Sequence, residues 1–431
     1  MKKKFFTLFG LSFFVSVGYL DPGNWATDIA AGSEFGYKLI WVIVLANIIA
    51  IILQSLTIIL VKYSDYDLAE ICRIRYGKKT MYLLWILAQI AIIATDLAEL
   101  LGSAIALNLL FKIPIAIGVL ITVLDVFLIL FLENKGFNKL QGIIIALVLT
   151  ITGAFIIELC LAGFDLQQFT VGLVPTIPNY DALILVTGII GATIMPHNLY
   201  MQAGLVKRNL QNFNLKTEII QLIFALNLAL IVNCSILILS AQVFHANGFT
   251  AVASIEQAYL LLAPLVGIKA AALLFGFALL LSGQASTITG TLSAQIVMEG
   301  FLQRKFDPKV LRIVTRLCAM IPTLILLYIF GDSEVNKLLI LSQVILSLQL
   351  PFAIIPLIVA VTDQKFMQNY TISKLLLGVA GISALFIIIL NLLLVAQTAY
   401  HIFNSLLIVI FILGLIIYFM KHLIFFKKIT N

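Results

Sequence analysis

The chain has 431 residues, of which 62% are hydrophobic and only 11% are charged. A water-soluble protein of this length needs many more charged side chains to cover its surface, so the composition excludes a soluble globular protein. A transmembrane helix needs roughly 20 consecutive, mostly apolar residues, and such stretches recur along the whole sequence. We therefore predict an all-α, polytopic membrane protein without a separate soluble domain.

The apolar stretches predict about twelve membrane spans. In chain order they are residues 5–31, 39–61, 80–110, 113–132, 140–163, 180–206, 217–243, 267–295, 310–330, 336–361, 373–396 and 402–420. With the N-terminus and the C-terminus in the cytoplasm, only four of the 27 lysines and arginines fall outside the cytoplasmic segments and nearby helix ends: Lys38, Lys112, Lys269 and Lys337. This follows the positive-inside rule. The net charge of +7 therefore indicates topology in a cell-membrane lipid bilayer, with no nucleic-acid partner.

Two of these spans carry a polar motif with proline near the middle. Span 1 contains DPGN at residues 21–24, and span 6 contains MPHN at residues 195–198. Proline removes a backbone donor and disrupts a helix. Carbonyls freed within lipid are tolerated only where they face protein or a water-filled cavity. An odd number of spans separates the motifs, so the two spans enter the membrane from opposite sides.

Paired broken helices of opposite direction are typical of inverted repeats. We predict a first repeat over residues 1–163, a second over residues 164–363, and two peripheral spans within residues 364–431. Two independent proline kinks are the alternative, because such kinks are common in membrane helices. The matched positions and the odd spacing favour the repeat.

The two motifs bring together donor atoms that suit a metal ion. Asp21 offers a carboxylate, Asn24 an amide oxygen and Met195 a thioether, and unwinding before Pro196 would free a carbonyl such as that of Ala192. A carboxylate in the membrane usually marks an ion pathway. Oxygen donors alone suit Mg²⁺, Ca²⁺ and Mn²⁺ alike, whereas a sulfur donor shifts preference toward transition metals. The alternative is that Met195 only fills apolar space.

Several segments resemble the Nramp family of proton-coupled divalent metal transporters. The matching segments are residues 21–28 (DPGNWATD), 94–99 (ATDLAE), 191–200 (GATIMPHNLY), 283–301, 341–343 (LSQ) and 350–352 (LPF). The resemblance covers spans 1 to 11, and the first and sixth-span motifs together are highly specific. It implies a LeuT-like fold and import of Mn²⁺ or Fe²⁺, and also of Cd²⁺. It implies metal ligands at Asp21, Asn24, Ala192 and Met195, joined in some states by Gln343.

A second set of polar residues suggests a proton route. Asp96 and Glu99 share one face of span 3, because they are spaced i, i+3, and Arg312 and Arg316 are spaced i, i+4 in span 9. His197 adjoins the proposed metal site and belongs to the side-chain class that exchanges protons near neutral pH. We predict a route through His197, Asp96 and Glu99, with Arg312 as their opposite charge. A static buried ion pair and a packing histidine are the alternatives.

Three positions depart from the family pattern along that route. Many family members carry glutamate where this chain has Gln89, an arginine where it has Leu311, and a second histidine where it has Gln202. Each change removes a titratable or charged group, while the predicted metal ligands are unchanged. The sequence therefore supports metal transport more firmly than tight proton coupling.

Three other functions compete with proton-coupled metal import. A metal uniporter would keep the site and lose the coupling. A cation-coupled amino-acid or amine symporter would keep the fold, but Asp21 would repel a substrate carboxylate. An intramembrane enzyme lacks support because no H-E-x-x-H motif occurs. We expect a monomeric transporter with no enzymatic activity and no cofactor, whose partners are the transported metal ion and protons.

Cysteine labelling tests the predicted topology. With the native cysteines replaced, Lys2→Cys is expected to react only with reagent on the cytoplasmic side and Thr170→Cys only with reagent outside. The physical reason is that five predicted spans lie between the two positions. Reaction of both cysteines from one side contradicts the inverted repeat.

Overall fold

The computed structural model describes residues 10–122, 124, 137–212, 214–250, 254–266, 269–303, 308–368, 370–403 and 405–425. Over these residues the protein is helical and contains no β-strand. The α-helices are α1 Leu11–Ser16, α2 Pro22–Phe35, α3 Ile40–Ser64, α4 Leu68–Arg75, α5 Lys78–Phe111, α6 Ile115–Thr122, α7 Phe137–Ala162, α8 Leu166–Gly172, α9 Tyr180–Ile194, α10 Pro196–Arg208, α11 Leu215–Val243, α12 Ile255–Val266, α13 Lys269–Leu302, α14 Pro308–Phe330, α15 Val335–Thr362, α16 Gln364–Met367, α17 Lys374–Phe403 and α18 Leu406–Phe425.

Ten helical stretches among the described residues are long and apolar enough to cross a membrane. This confirms a polytopic all-α membrane protein. The sequence predicts twelve spans, and two features explain why the described residues show ten such stretches. One stretch, Pro22–Ser64, runs through the end of the first predicted span and all of the second, leaving only the short apolar helix Leu11–Leu20 before it. The fourth predicted span begins as α6, and most of its remainder lies outside the described residues.

The burial of the spans separates central helices from peripheral ones. In the most apolar window of Tyr180–Arg208, 94% of the residues are buried inside the protein, compared with 17% for Leu406–Phe425. An apolar helix that is exposed on most of its surface is stable only in lipid. Helices α9 and α10 therefore lie at the centre of the bundle, and α18 lies at its lipid-facing edge.

The first helix break is stabilised by its own sequence. After α1 a 3₁₀ turn covers Val17–Leu20, and Asp21 then adopts an extended conformation with ψ 158°. Pro22 is the first residue of α2, and the Asp21 side chain accepts the backbone N–H of Asn24. Proline suits the first helical position because that position needs no N–H donor, and aspartate is a favoured N-cap residue.

The second break has a different backbone geometry. Helix α9 ends at Ile194 and α10 begins at Pro196, and Met195 between them has φ 34° and ψ 108°. A positive φ is unusual for a residue with a side chain, and strained residues of this kind occur mainly at functional sites. The surrounding helices hold Met195 in this conformation, since its side chain is fully buried.

A glycine allows the helix beside the second break to approach closely. A Cβ atom on Gly191 would lie 2.1 Å from the carbonyl oxygen of Gln343 and 2.6 Å from the backbone nitrogen of Ser347. Only glycine therefore permits this contact between α9 and α15, in the manner of small residues at membrane helix interfaces. The contact places Gln343 next to the two breaks.

Candidate metal site

The first break presents one fully buried carboxylate. Oδ1 of Asp21 accepts hydrogen bonds from the backbone N–H of Asn24 at 2.9 Å and from its side-chain amide at 2.7 Å. The carbonyl oxygen of Leu20, which the break removes from the helix ladder, accepts the indole N–H of Trp25 at 3.1 Å and the hydroxyl of Ser282. These contacts fix the orientation of Asp21 and satisfy the freed carbonyl.

The two breaks touch each other directly. The side-chain amide of Asn24 donates to the carbonyl oxygen of Ala192 at 3.2 Å, although the two residues are 168 positions apart. Asn24 therefore connects the Asp21 carboxylate of α2 with the end of α9. Three of the residues that the sequence predicts as ligands thus lie in one buried cluster.

Gln343 and Met195 are the other two residues that the sequence predicts as metal ligands. The amide nitrogen of Gln343 would be only 1.7 Å from a Cβ on Gly23, so Gln343 lies against the DPGN motif. Met195 is fully buried beside Ala91, Ala94 and Leu346, and its sulfur accepts the side-chain amide of Asn198 at 3.5 Å. The thioether therefore lies at the second break, three residues after Ala192.

Two oxygen atoms of this cluster have no hydrogen-bond partner among the described residues. They are Oδ2 of Asp21 and Oε1 of Gln343, and both residues are fully buried. Buried polar atoms are almost always paired, because an unpaired one costs free energy. Free carboxylate and amide oxygens, together with the thioether at the second break, are donor types that suit a divalent transition-metal ion. The residues present therefore fit such an ion as cargo.

The described residues contain no group of three or more His, Cys, Asp or Glu side chains that could hold a metal. A structural zinc site would use such a group. The candidate site relies instead on one carboxylate, amide and carbonyl oxygens, and one thioether. This set of ligands carries less charge than a structural zinc site, which suits a transported ion that must be released again.

A buried ion pair lies close to the same region. Nη1 of Arg316 is 3.3 Å from Oε2 of Glu99 and 3.8 Å from Oδ1 of Asp96, and Nη2 donates to the hydroxyl of Thr287 at 2.9 Å. The exposed fraction is 3% for Arg316 and 0% for Glu99. The sequence predicts Arg312 in this position. Among the described side chains Arg316 lies there; the side chain of Arg312 lies outside the described part, so its predicted role stays a prediction.

His197 connects the metal cluster to the ion pair. Its Nδ1 lies 3.4 Å from the hydroxyl of Thr95, the residue before Asp96, and His197 itself is two residues after Met195. Helix α13 approaches the carboxylates through Gly290, whose Cβ position would be 3.0 Å from Oε1 of Glu99. The residues of the predicted proton route, apart from Arg312, therefore lie along one side of α5.

Some functional contacts are absent from the sequence-based prediction. Thr287 belongs to a polar run in the eighth predicted span, but nothing in the run distinguishes it as the partner of Arg316. Gln202, noted only as a missing histidine, donates its amide to the hydroxyl of Ser12 at 3.1 Å. Each contact joins two different helices, so the pattern within one helix carries no signal for it.

Comparison with known sequences gives consistent results. The family model described as "natural resistance-associated macrophage protein-like" (Nramp) matches residues 12–397. A divalent metal cation transporter MntH from Xylella fastidiosa is 47% identical over 402 residues, which is 91% of this chain and 85% of that protein. The protein of that name from Nostoc sp. is 47% identical over 406 residues, covering 92% of each chain.

Solved structures agree with these relatives. A manganese transporter of Eremococcus coleocola superposes with a TM-score of 0.86 at 33% identity, covering 97% of this chain and 93% of that one. The nucleobase–cation symporter Mhp1 superposes with a TM-score of 0.61 at 17% identity, covering 98% and 94%, and this likeness shows the LeuT-type fold alone. The chain is a membrane metal-ion transporter that belongs to the Nramp family.

Proposed function

We propose that this transporter imports Mn²⁺ or Fe²⁺, and also Cd²⁺, into the cytoplasm by alternating access, coupled to protons. The observation that carries the proposal is the contact of Asn24 with both Asp21 and the Ala192 carbonyl, beside the Met195 thioether. Relatives named divalent metal cation transporters and a structural neighbour described as a manganese transporter support the choice of cargo.

The architecture that we propose for this cycle is the inverted repeat. Residues 1–163 and 164–363 form the two repeats, and α17 and α18 are peripheral. Each repeat begins with a broken helix, so the half-helices on either side of the metal can tilt independently. The N-terminus and the C-terminus lie in the cytoplasm, and one chain is sufficient for transport.

Proton coupling follows from the carboxylates near the metal. A proton enters from outside near Asp21 and His197 and passes through Asp96 and Glu99 toward the cytoplasm. The opposite charge comes from Arg316, whose contacts with both carboxylates support this assignment. Glutamine at positions 89 and 202 cannot titrate, so the coupling is retained but weakened.

Uniport of the metal is the second candidate, and the same two glutamines favour it. The amide nitrogen of Gln89 has no hydrogen-bond partner among the described residues, and Gln202 is engaged with Ser12. In a uniporter, Asp96, Glu99 and Arg316 act only as a structural ion pair. An amino-acid symporter is disfavoured, since the Asp21 carboxylate would repel the carboxylate of the substrate.

Asp21→Ala tests the metal site. We expect the variant to fold and insert normally but to lose Mn²⁺ binding by at least ~100-fold, because the only acidic ligand is removed and even supporting residues of metal sites contribute factors of 10–100. Mn²⁺ uptake into proteoliposomes measures the effect. The control is Asp181→Ala, which removes an exposed carboxylate in the first turn of α9. Near-normal uptake by Asp21→Ala refutes the site.

Met195→Ala tests the selectivity. Loss of the only soft donor is expected to narrow the preference for Mn²⁺ or Cd²⁺ over Ca²⁺ or Mg²⁺ by about tenfold, equivalent to ~1.4 kcal/mol. Competition of Ca²⁺ and Mg²⁺ against Cd²⁺ uptake measures the change. Met201→Ala is the matched control, because Met201 is equally buried on the next helix. If Ca²⁺ already competes well with the unmodified protein, the sulfur does not set selectivity.

Asp96→Asn separates symport from uniport. In proteoliposomes, Mn²⁺ uptake by the unmodified protein is expected to acidify the lumen, and Asp96→Asn is expected to reduce acidification more than metal flux. The amide keeps the shape of the side chain but cannot carry a proton. Asp332→Asn, at an exposed position, serves as the control. Metal uptake without any lumenal pH change, in variant and unmodified protein alike, favours uniport.

A further inference from the structure

A second polar cluster lies where α10 meets the start of α1, the side that the proposed topology assigns to the cytoplasm. Asn198 and Gln202 are one turn apart on α10, so they share a helix face. Gln202 reaches Ser12 of α1, and Ser12 in turn contacts Glu218 in the first turn of α11. This face therefore continues from Met195, through Asn198 and Gln202, to a buried carboxylate near the cytoplasmic end of the bundle.

Glu218 holds the first helix in place. Its Oε1 accepts the backbone N–H of Ser12 at 3.0 Å and the Ser12 hydroxyl at 2.7 Å. Gly10, which precedes α1, provides no side-chain cap of its own. The carboxylate of a helix 206 residues away thus satisfies a backbone donor that would otherwise remain unpaired at the start of α1. Ser12 is fully buried and Glu218 is 7% exposed.

The same cluster contains an oxygen that has no hydrogen-bond partner in the described structure. Gln202 is fully buried, and its amide nitrogen is used by Ser12, but its Oε1 is unpaired. None of the ion pairs between described side chains includes Glu218. A carboxylate without a cationic partner among the described side chains, an amide oxygen without a hydrogen-bond partner there and a hydroxyl therefore belong to one cluster. These are donors that a divalent cation accepts.

We propose that Glu218, Gln202 and Ser12 form a transit site for the departing divalent cation, at which Glu218 exchanges its hydrogen bonds to α1 for the metal ion. The inference rests on the proposed function, because it assumes that the ion leaves toward the cytoplasm. While α1 is packed against α11, the backbone N–H and the hydroxyl of Ser12 donate hydrogen bonds to the Glu218 carboxylate. When the ion arrives, it displaces those donors, and α1 is released from α11.

The donor sets of the two sites differ. The central site includes the Met195 sulfur, whereas the transit site has oxygen donors only. Oxygen donors give less preference to transition metals, so selection of the ion falls to the central site and the transit site only receives the ion already selected. The single carboxylate also links release of the metal to opening of α1.

Glu218→Gln separates the two roles of the carboxylate. Glutamine still accepts hydrogen bonds from Ser12 but lacks the negative charge that binds a cation. The reporter is Ser16→Cys, a buried position of α1, in a protein whose four native cysteines are replaced by serine. Labelling uses a membrane-impermeant maleimide on the cytoplasmic side, with and without Mn²⁺, beside Mn²⁺ uptake and Mn²⁺ binding by calorimetry.

In the reporter protein, Mn²⁺ is expected to increase labelling of Ser16→Cys. In Glu218→Gln, labelling without Mn²⁺ is expected to stay low, and Mn²⁺ is expected no longer to increase it. Mn²⁺ uptake is expected to be slower, while equilibrium Mn²⁺ binding is unchanged. Glu218→Ala removes the acceptor too, so labelling is expected to be high even without Mn²⁺. Glu256→Gln, an exposed glutamate, is the control and is expected to match the reporter protein.

Parental uptake and parental Mn²⁺-driven labelling in Glu218→Gln overturn the proposal. Loss of equilibrium Mn²⁺ binding in Glu218→Gln also overturns it, because Glu218 would then belong to the central site. If that variant does not fold, Gln202→Leu tests the same site by removing the amide oxygen, and unchanged uptake overturns the proposal. Failure of the proposed function appears separately, as normal Mn²⁺ binding by Asp21→Ala.

Discussion

The hydrogen bond from Asn24 to the carbonyl of Ala192 is the contact on which the rest of the structure depends. A membrane interior offers no water to satisfy backbone groups, so a helix can be interrupted only where protein replaces the lost partners. Here the first interruption helps to satisfy the second. The Asp21 carboxylate caps one half-helix, and Asn24 reaches the end of the other. Asp21 thus stabilises a break through one carboxylate oxygen and leaves the other, Oδ2, free to suit a metal ion.

The sequence predicts the positions of the two helix breaks, because that information is local. Proline fixes where α2 and α10 begin, and aspartate before proline predicts a capped helix start. The donor types can be read from two four-residue motifs. The position of Gln343 cannot, since it depends on the close approach that Gly191 allows between α9 and α15. That approach is visible only when both helices are placed.

The arginine in the ion pair shows the limit of helical periodicity. Arg312 and Arg316 share a face of α14, so spacing alone does not decide which of them meets the carboxylates. Among the described side chains Arg316 meets them, because it reaches both Glu99 on α5 and Thr287 on α13. In the low dielectric of the interior, removing one partner of such a pair leaves a buried charge uncompensated. Loss of Arg316 would therefore destabilise the helix arrangement, whether or not the pair carries protons. Glu218 similarly lacks any local signal, since its partner Ser12 is 206 residues away.

Calorimetric titration of the purified protein with Mn²⁺, Mg²⁺ and Ca²⁺ tests the central claim most directly. A site of one carboxylate, neutral oxygens and one thioether is expected to bind Mn²⁺ measurably while Mg²⁺ and Ca²⁺ bind far more weakly, because only the sulfur distinguishes them. Equal affinity for Mn²⁺ and Ca²⁺, or no heat of Mn²⁺ binding, would contradict the proposed metal site.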